Sequence, residues 1–182
     1  MKFSLAWLSR YVDTTDVDLD WLADRFTLSV AELEGVEILG EGLEKAVVAR
    51  IESAEAHPDA KKLVVCTVDD GSGTIRQVVC GAPNARAGLV TALLPPGSKL
   101  GENDIGVATI RGVESFGMMA SAKELGLTED HEGICELGDA LKPGTKLSEI
   151  LPIQDALFEV DNKSITHRPD LWGHLGIARE IA

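Results

Sequence analysis

Two kinds of hydrophobic patterning alternate along the chain. Near the start, Leu5, Trp7, Leu8 and Tyr11 follow Ser4, and Leu19, Leu22, Ala23 and Phe26 follow Asp18. A capping residue ahead of apolar positions at helical spacing predicts two short helices. The stretch 27–40 is read as irregular chain turning at Gly35 and Gly40, with Gly40 and Gly42 as a linker. From Lys45 the pattern becomes that of strands. Val47, Ala49 and Ile51 alternate within one strand, and the Val-rich runs 63–69 and 74–80 flank Asp70-Gly71-Ser72-Gly73 as a hairpin. Residues 88–94 predict a third strand, ended by Pro95-Pro96-Gly97. Residues 106–111 and 112–121 predict further short strands about a tight glycine turn, 122–127 a helical turn, and 133–137 a last short strand. Beyond Pro143-Gly144, residues 156–162 alternate like one strand. Asp170 then stands where it can cap a helix whose apolar face is Leu171, Leu175, Ala178 and Ala182. This helical pattern runs to the last residue, so the chain is expected to be a piece of a longer protein.

About five short strands separated by glycine turns, with one short helical turn, suit a small Greek-key barrel of the OB type. An SH3-like barrel would have the same periodicity. The length, 182 residues, admits one medium domain or two small ones. No apolar run approaches the roughly 20 residues of a membrane span. The N-terminus lacks both the apolar core and the small-residue cleavage site of a signal peptide. A soluble, cytoplasmic chain with no membrane partner is therefore expected. Cys66, Cys80 and Cys135 are odd in number and none lies in a Cys-x-x-Cys pair, which argues against a disulfide framework. Cys66 and Cys80 fall in apolar runs, where free cysteine packs as a small hydrophobe.

Charge narrows the function classes. The formal net charge is -13, which disfavours a strong stand-alone binder of nucleic acid, because phosphate contact is driven by lysine and arginine. The acidity is uneven: three bases face ten acids in residues 1–44, but eleven face sixteen in 45–155. An RNA site in the middle segment must therefore be a local patch. Other chemistry finds little support. The His and Cys residues form no close ligand pairs of a structural zinc site. No Gly-x4-Gly-Lys-Ser/Thr phosphate loop is present. The cluster Glu129-Asp130-His131-Glu132 lacks EF-hand spacing and reads as a solvated loop. A Cys-His nucleophile pair meets only in space, and Cys80 at a strand end is a poor candidate. Trp7, Trp21 and Trp172 are read as core or scaffold-interface residues. His174 and Arg179 are expected to pack or pair with the first helices, and Arg168 to brace the structure by an ion pair.

The remaining constellation lies at strand ends and loops of the middle segment. Lys61, Lys62, Arg86 and Lys123 are candidate phosphate contacts, together with Lys99 and Arg111. Asn84, Ser115 and Ser121 can reach base edges or 2′-hydroxyls, and Phe116 or Met118 can offer an apolar surface to an unstacked base. The bland alternative is that the glycines and Pro83 only make turns while the lysines solvate an acidic surface.

The stretch from His57 to Leu63, the string Val78-Val79-Cys80-Gly81-Ala82-Pro83-Asn84-Ala85-Arg86-Ala87-Gly88 and the run from Arg111 to Leu127 are long and specific. They resemble the tRNA-binding OB domain shared by the bacterial phenylalanyl-tRNA synthetase beta subunit, the C-terminal extension of some methionyl-tRNA synthetases and free tRNA-binding proteins. The flanks, residues 1–13 and 158–182, resemble those of the synthetase beta subunit, so the likeness covers essentially the whole chain. The chain departs from the family's pattern at three places. Asp59-Ala60-Lys61 stands where Asn-Ala-Asp is usual, His167 where asparagine is frequent, and Phe116 where the family is often polar or acidic.

The resemblance implies an α+β/β fold, a five-stranded OB barrel at 41–151 inserted into a discontinuous α+β scaffold of 1–40 and 152–182. It implies the N-terminal part of a heterotetrameric phenylalanine–tRNA ligase that uses ATP and magnesium. Charging would lie on the alpha subunit and proofreading beyond Ala182. This piece is then expected to hold no catalytic residue, metal or cofactor. Its expected partners are tRNA, the alpha subunit and the rest of the beta subunit, and not DNA. A free tRNA-binding module and a purely structural assembly domain are the alternatives.

Overall fold

A computed structural model describes residues 1–151 and 153–182. In chain order the elements are β1 (Lys2–Ser4), α1 (Leu5–Leu8), α2 (Leu19–Ser29), β2 (Leu33–Leu39), β3 (Val47–His57), β4 (Ala60–Asp69), β5 (Ile75–Cys80), β6 (Val90–Leu94), β7 (Ser98–Leu100), β8 (Asn103–Ile105), β9 (Val107–Ile110), β10 (Val113–Phe116), β11 (Met118–Met119), β12 (Asp155–Val160) and α3 (His174–Ile181). The protein is thus mostly β-sheet with few, short helices. It divides into two compact units, one of Met1–Leu39 with Gln154–Ala182 and one of Gly40–Ile153. Residue 152, the expected start of the second scaffold segment, lies outside the described residues. Among the described residues no helix is long and apolar enough to cross a membrane.

The first unit is a three-stranded antiparallel sheet, β1-β12-β2, with helices on its apolar face. Phe3 and Phe158 are register partners and their rings stack 5.1 Å apart. Phe26 from α2 tilts onto Phe3 at 5.4 Å, and Leu8, Leu22, Ile165, Leu171 and Ile177 complete the core. Ser4 and Asp18 cap α1 and α2 as expected, accepting from the backbone N–H groups of Trp7 and Trp21. Four expectations need correction here. The first helix stops at Leu8. The stretch expected to be irregular contains strand β2, with Gly35 inside it. Asp170 caps no helix: Pro169–Leu171 is a single 3-10 turn, and α3 begins after Gly173, burying Ile177 and Ala178 while Leu175 stays exposed. All three tryptophans are more than half exposed, and Trp7 lies flat on the His174 ring, 4.4 Å away. His174 also packs as expected, its Nε2 accepting from the Ser4 N–H. Arg168 does pair, with Asp170 and Glu180.

The second unit is built on a five-stranded antiparallel sheet in the order β11-β6-β3-β4-β5. Two smaller hairpins, β7-β8 and β9-β10, accompany it. Among the described residues no sheet closes on itself. The inward positions Ala49, Ile51, Cys66, Val68, Val78 and Leu93 form one apolar cluster; Val48, Val90, Ala92, Leu94, Leu125 and Leu147 form another. Successive strand residues face opposite sides, so β3 and β6 contribute to both clusters. The β4–β5 hairpin is as predicted. Its loop is held by Asp70, which accepts from the Ser72 N–H and pairs with Arg76. The β7-β8 hairpin was not anticipated. The expected strand at 133–137 is reduced to one bridge, Thr91 to Glu136, and the helical turn at 122–127 is a capped turn with no helix.

Candidate nucleic-acid interface

Two turns carry those candidate phosphate contacts that have no ion-pair partner among the described residues. The first closes β3 onto β4, where His57 pairs with Ala60 and the chain runs straight on into Lys61 and Lys62. The second is Arg111-Gly112 between β9 and β10. Both residues have positive φ, 46° and 83°, the two-residue geometry that matches the twist of a tight hairpin. Between the turns lies the His57 ring, 4% exposed. Its Nδ1 accepts the Asp59 N–H at 3.1 Å, which leaves the proton on Nε2 to be donated to the Ile110 carbonyl at 3.1 Å. Lys61, Lys62 and Arg111 are exposed and have no ion-pair partner among the described residues.

The other expected phosphate contacts are engaged. Arg86 meets Glu136 with both terminal guanidinium nitrogens at 2.9 Å, a fork-on-fork pair. Bonds from Arg86 and Asn84 hold the Glu136 carboxyl down at about 2. Lys123 lies 3.0 Å from Glu129, and Lys99 lies 4.0 Å from Asp104.

Three polar residues expected at bases are spent inside the fold. Ser115 is 2% exposed; its hydroxyl accepts from the Val79 N–H and donates to the Gly117 carbonyl, both at 3.1 Å. This knits β10 beside β5, helped by the Gln77 amide donating to the Glu114 carbonyl. Ser121 is buried in a reciprocal cap: its N–H and hydroxyl donate to Glu124, whose N–H returns to the Ser121 oxygen. The Asn84 carboxamide donates to the Ile134 carbonyl and accepts the Ile134 N–H, strapping residues 134–136 to the loop after β5. A polar residue near a turn satisfies buried backbone groups as readily as it meets a ligand, and sequence does not separate the two uses.

Phe116 and Met118 are half-buried. Met118 lines an open cleft of about 650 Å³, together with Pro83, Ser121, Lys123, His131 and Ile134. Of these, Pro83, expected only to make a turn, His131, expected in a solvated loop, and Ile134 are not among the sequence-predicted RNA contacts. With Glu124 and Glu132 also on its wall, the cleft offers apolar surface but little net positive charge. Cys80 lies on the same wall, and burial pushes its thiol up; burial raises Cys66 to about 11. Both are protonated thiols at neutral pH, unlike a nucleophilic cysteine. Among the described residues no cluster of His, Cys, Asp and Glu is arranged to hold a metal ion.

The structure therefore brings Lys61, Lys62 and Arg111 to one pair of linked turns and Met118, Ser121 and Lys123 to the cleft. Arg86 and Asn84 are held at the Glu136 strap, and Lys99 stands on the β7-β8 hairpin.

The chain is 46% identical over 183 aligned residues to "Phenylalanine--tRNA ligase beta subunit" of Bordetella pertussis, and 42% over 184 to the protein of the same description from Leptospira borgpetersenii. Each alignment covers all of this chain and only 22% and 23% of those relatives, so the chain spans under a quarter of their length. Among solved structures, a "MetRS related protein" from Pyrococcus horikoshii aligns over 56% of this chain and 87% of its own, at 22% identity and a TM-score of 0.42. A family model described as "Putative tRNA binding domain" matches residues 46–146. That match takes in more than half of the chain, including both linked turns and the cleft, and the protein belongs to this tRNA-binding-domain family.

Proposed function

We propose that this chain is a non-catalytic segment of the beta subunit of a phenylalanine–tRNA ligase, and that residues 40–153 form an OB-type barrel that contacts tRNA. The carrying observation is similarity over the whole chain, flanks included, to phenylalanine–tRNA ligase beta subunits. The flanks favour such a subunit over a free tRNA-binding module. Residues 1–39 and 154–182, which flank the barrel in sequence, are then the scaffold segments. The barrel reading is supported by the way β10 and β11, joined at Gly117, bring the two edges of the five-stranded sheet toward each other: β11 pairs with β6, while β10 bonds β5.

The chemistry assigned to the chain is phosphate recognition. Lys61, Lys62 and Arg111 supply charge that no carboxylate pairs with among the described residues, and the exposed Arg111 guanidinium can meet a phosphate with two donors. Met118 and Phe116 offer a base-sized apolar surface. Arg86, Lys99 and Lys123 would join only by exchanging a carboxylate for a phosphate. In the parent enzyme, ATP and magnesium serve the charging reaction outside this chain. The alpha subunit and the rest of the beta subunit are the protein partners, and the cytoplasm is the compartment.

A second reading, an assembly domain silent toward RNA, is favoured by the net charge of -13 and by the acids that hold Arg86 and Lys123. Fluorescence anisotropy separates the two. The chain is titrated at low salt into labelled tRNA and, separately, into a DNA duplex of equal length. Tighter binding of tRNA supports the RNA-contacting reading, and no binding of either sinks it in favour of the assembly role.

A further inference from the structure

His57 is the buried group that joins the two cation-bearing turns. The Ile110 carbonyl that it holds belongs to the residue immediately before Arg111. On its other side, His57 pairs with Ala60, immediately before Lys61. Arg111 is the only non-glycine residue of the second unit with a positive φ among the described residues. A bulky side chain in that region is disfavoured by about 1–2 kcal/mol and persists only where the surroundings hold it. A buried imidazole with both nitrogens engaged is an unusually well-defined tie between two exposed turns. The β9–β10 turn has its own ladder, and His57 pairs with Ala60 through backbone, so each turn has backbone pairing besides the ring's bonds.

We infer that His57 is a positioning residue for RNA. It fixes the Arg111 turn against the β3–β4 turn, so that Lys61, Lys62 and Arg111 act as one composite site for consecutive backbone phosphates. This rests on the tRNA-binding reading above. Without the tie, the β9–β10 hairpin would keep its own fold, but Arg111 would no longer be held in register with the two lysines. The chain would lose one phosphate contact without losing a charge.

The test compares four single variants and one double variant by tRNA affinity across a salt series, each with a melting curve. One phosphate contact contributes about 0.7–0.9 to the slope of log affinity against log salt. His57→Ala should lower the slope by that amount although the net charge is unchanged. Arg111→Ala should lower it equally, and the double variant should lose no more than either single one. His57→Gln and His57→Asn divide the ring's two bonds. Glutamine reaches the Ile110 carbonyl, while asparagine reaches only the Asp59 N–H. Recovery of the slope by His57→Gln and not by His57→Asn is the expected result, and this pair carries the test if His57→Ala fails to fold. Folded His57 variants with the wild-type slope, equal behaviour of the Gln and Asn variants, or losses that add in the double variant would each overturn the inference and leave the tRNA-binding reading standing. Failure of the wild-type chain to bind tRNA would overturn both.

Discussion

Removal of the Arg76 guanidinium should open the β4–β5 hairpin measurably. Asp70 lies almost fully buried at the start of the loop, and its partner Arg76 is mostly covered. Burial pushes the Asp70 carboxyl up, but bonds from Ser72 and Arg76 outweigh that and hold it below its ordinary range. Stripping one partner from a fully buried ion pair costs about 3–5 kcal/mol, and a single charge-assisted bond is worth about 1.5–3 kcal/mol. Here Asp70 keeps its Ser72 bond and water can reach part of the gap left by Arg76. The expected cost of Arg76→Ala is therefore about 2 kcal/mol, near the lower end of those ranges. At about 1.4 kcal/mol per factor of ten, that is about a 30-fold rise in the population of the open hairpin. Cys66 on β4 is a built-in reporter, buried and protonated, so it reacts only when the sheet opens. Its labelling by a thiol reagent, resolved by peptide mass spectrometry from that of half-buried Cys135, should quicken about 30-fold when opening is fast relative to reaction. The sign with pH follows from the depressed carboxyl. The stabilisation is complete above the ordinary aspartate value and is lost as pH falls through the lower folded value. Wild type and Arg76→Ala should thus converge in acid. Less than a threefold change in labelling at neutral pH would refute the account of this ion pair.

Three further outcomes follow from the geometry. Phe158→Ala, which removes a fully buried ring stacked on Phe3, should cost about 3–5 kcal/mol, read as a lower denaturation midpoint by tryptophan fluorescence, since all three tryptophans lie in that unit. Gly117→Ala should cost about 3 kcal/mol by chemical denaturation, because φ is 107° and an added Cβ would stand 2.5 Å from the Leu94 carbonyl oxygen; a cost below about 1 kcal/mol contradicts the close approach of β11 to β6. Glu136→Gln should lower the melting temperature at neutral pH, and the difference should vanish between about pH 4.5 and pH 2, since a carboxyl held at about 2 stabilises above its ordinary value and ceases to as it protonates.

The strands were legible wherever apolar residues ran between strong turn signals, as in the Val-rich runs about Asp70-Gly71-Ser72-Gly73. Strand β2 was not: Leu33–Leu39 carries two glutamates and an internal glycine, and it exists because β12 offers a partner, which is a tertiary effect. The reading of Asp170 as a cap failed for a related reason. Pro169 sets up a turn of its own, and Gly173, extended at φ -164°, starts the helix. Within the candidate interface, residue types identified cations but not which of them carboxylates hold. Glu136 lies 50 residues from Arg86, and no local pattern predicts that they meet. The role of His57 was hidden in the same way, because its partner carbonyl is 53 residues away.

The central claim is that tRNA is held through the unpaired cations of two linked turns. The most direct measurement is the salt dependence of tRNA affinity for the wild-type chain and for the triple variant Lys61→Ala, Lys62→Ala, Arg111→Ala. Three phosphate contacts predict that the slope of log affinity against log salt shrinks by about 2–2.7 in the variant, while Arg86→Ala leaves it nearly unchanged. An unchanged slope in the triple variant, or a loss confined to Arg86→Ala, would contradict the claim.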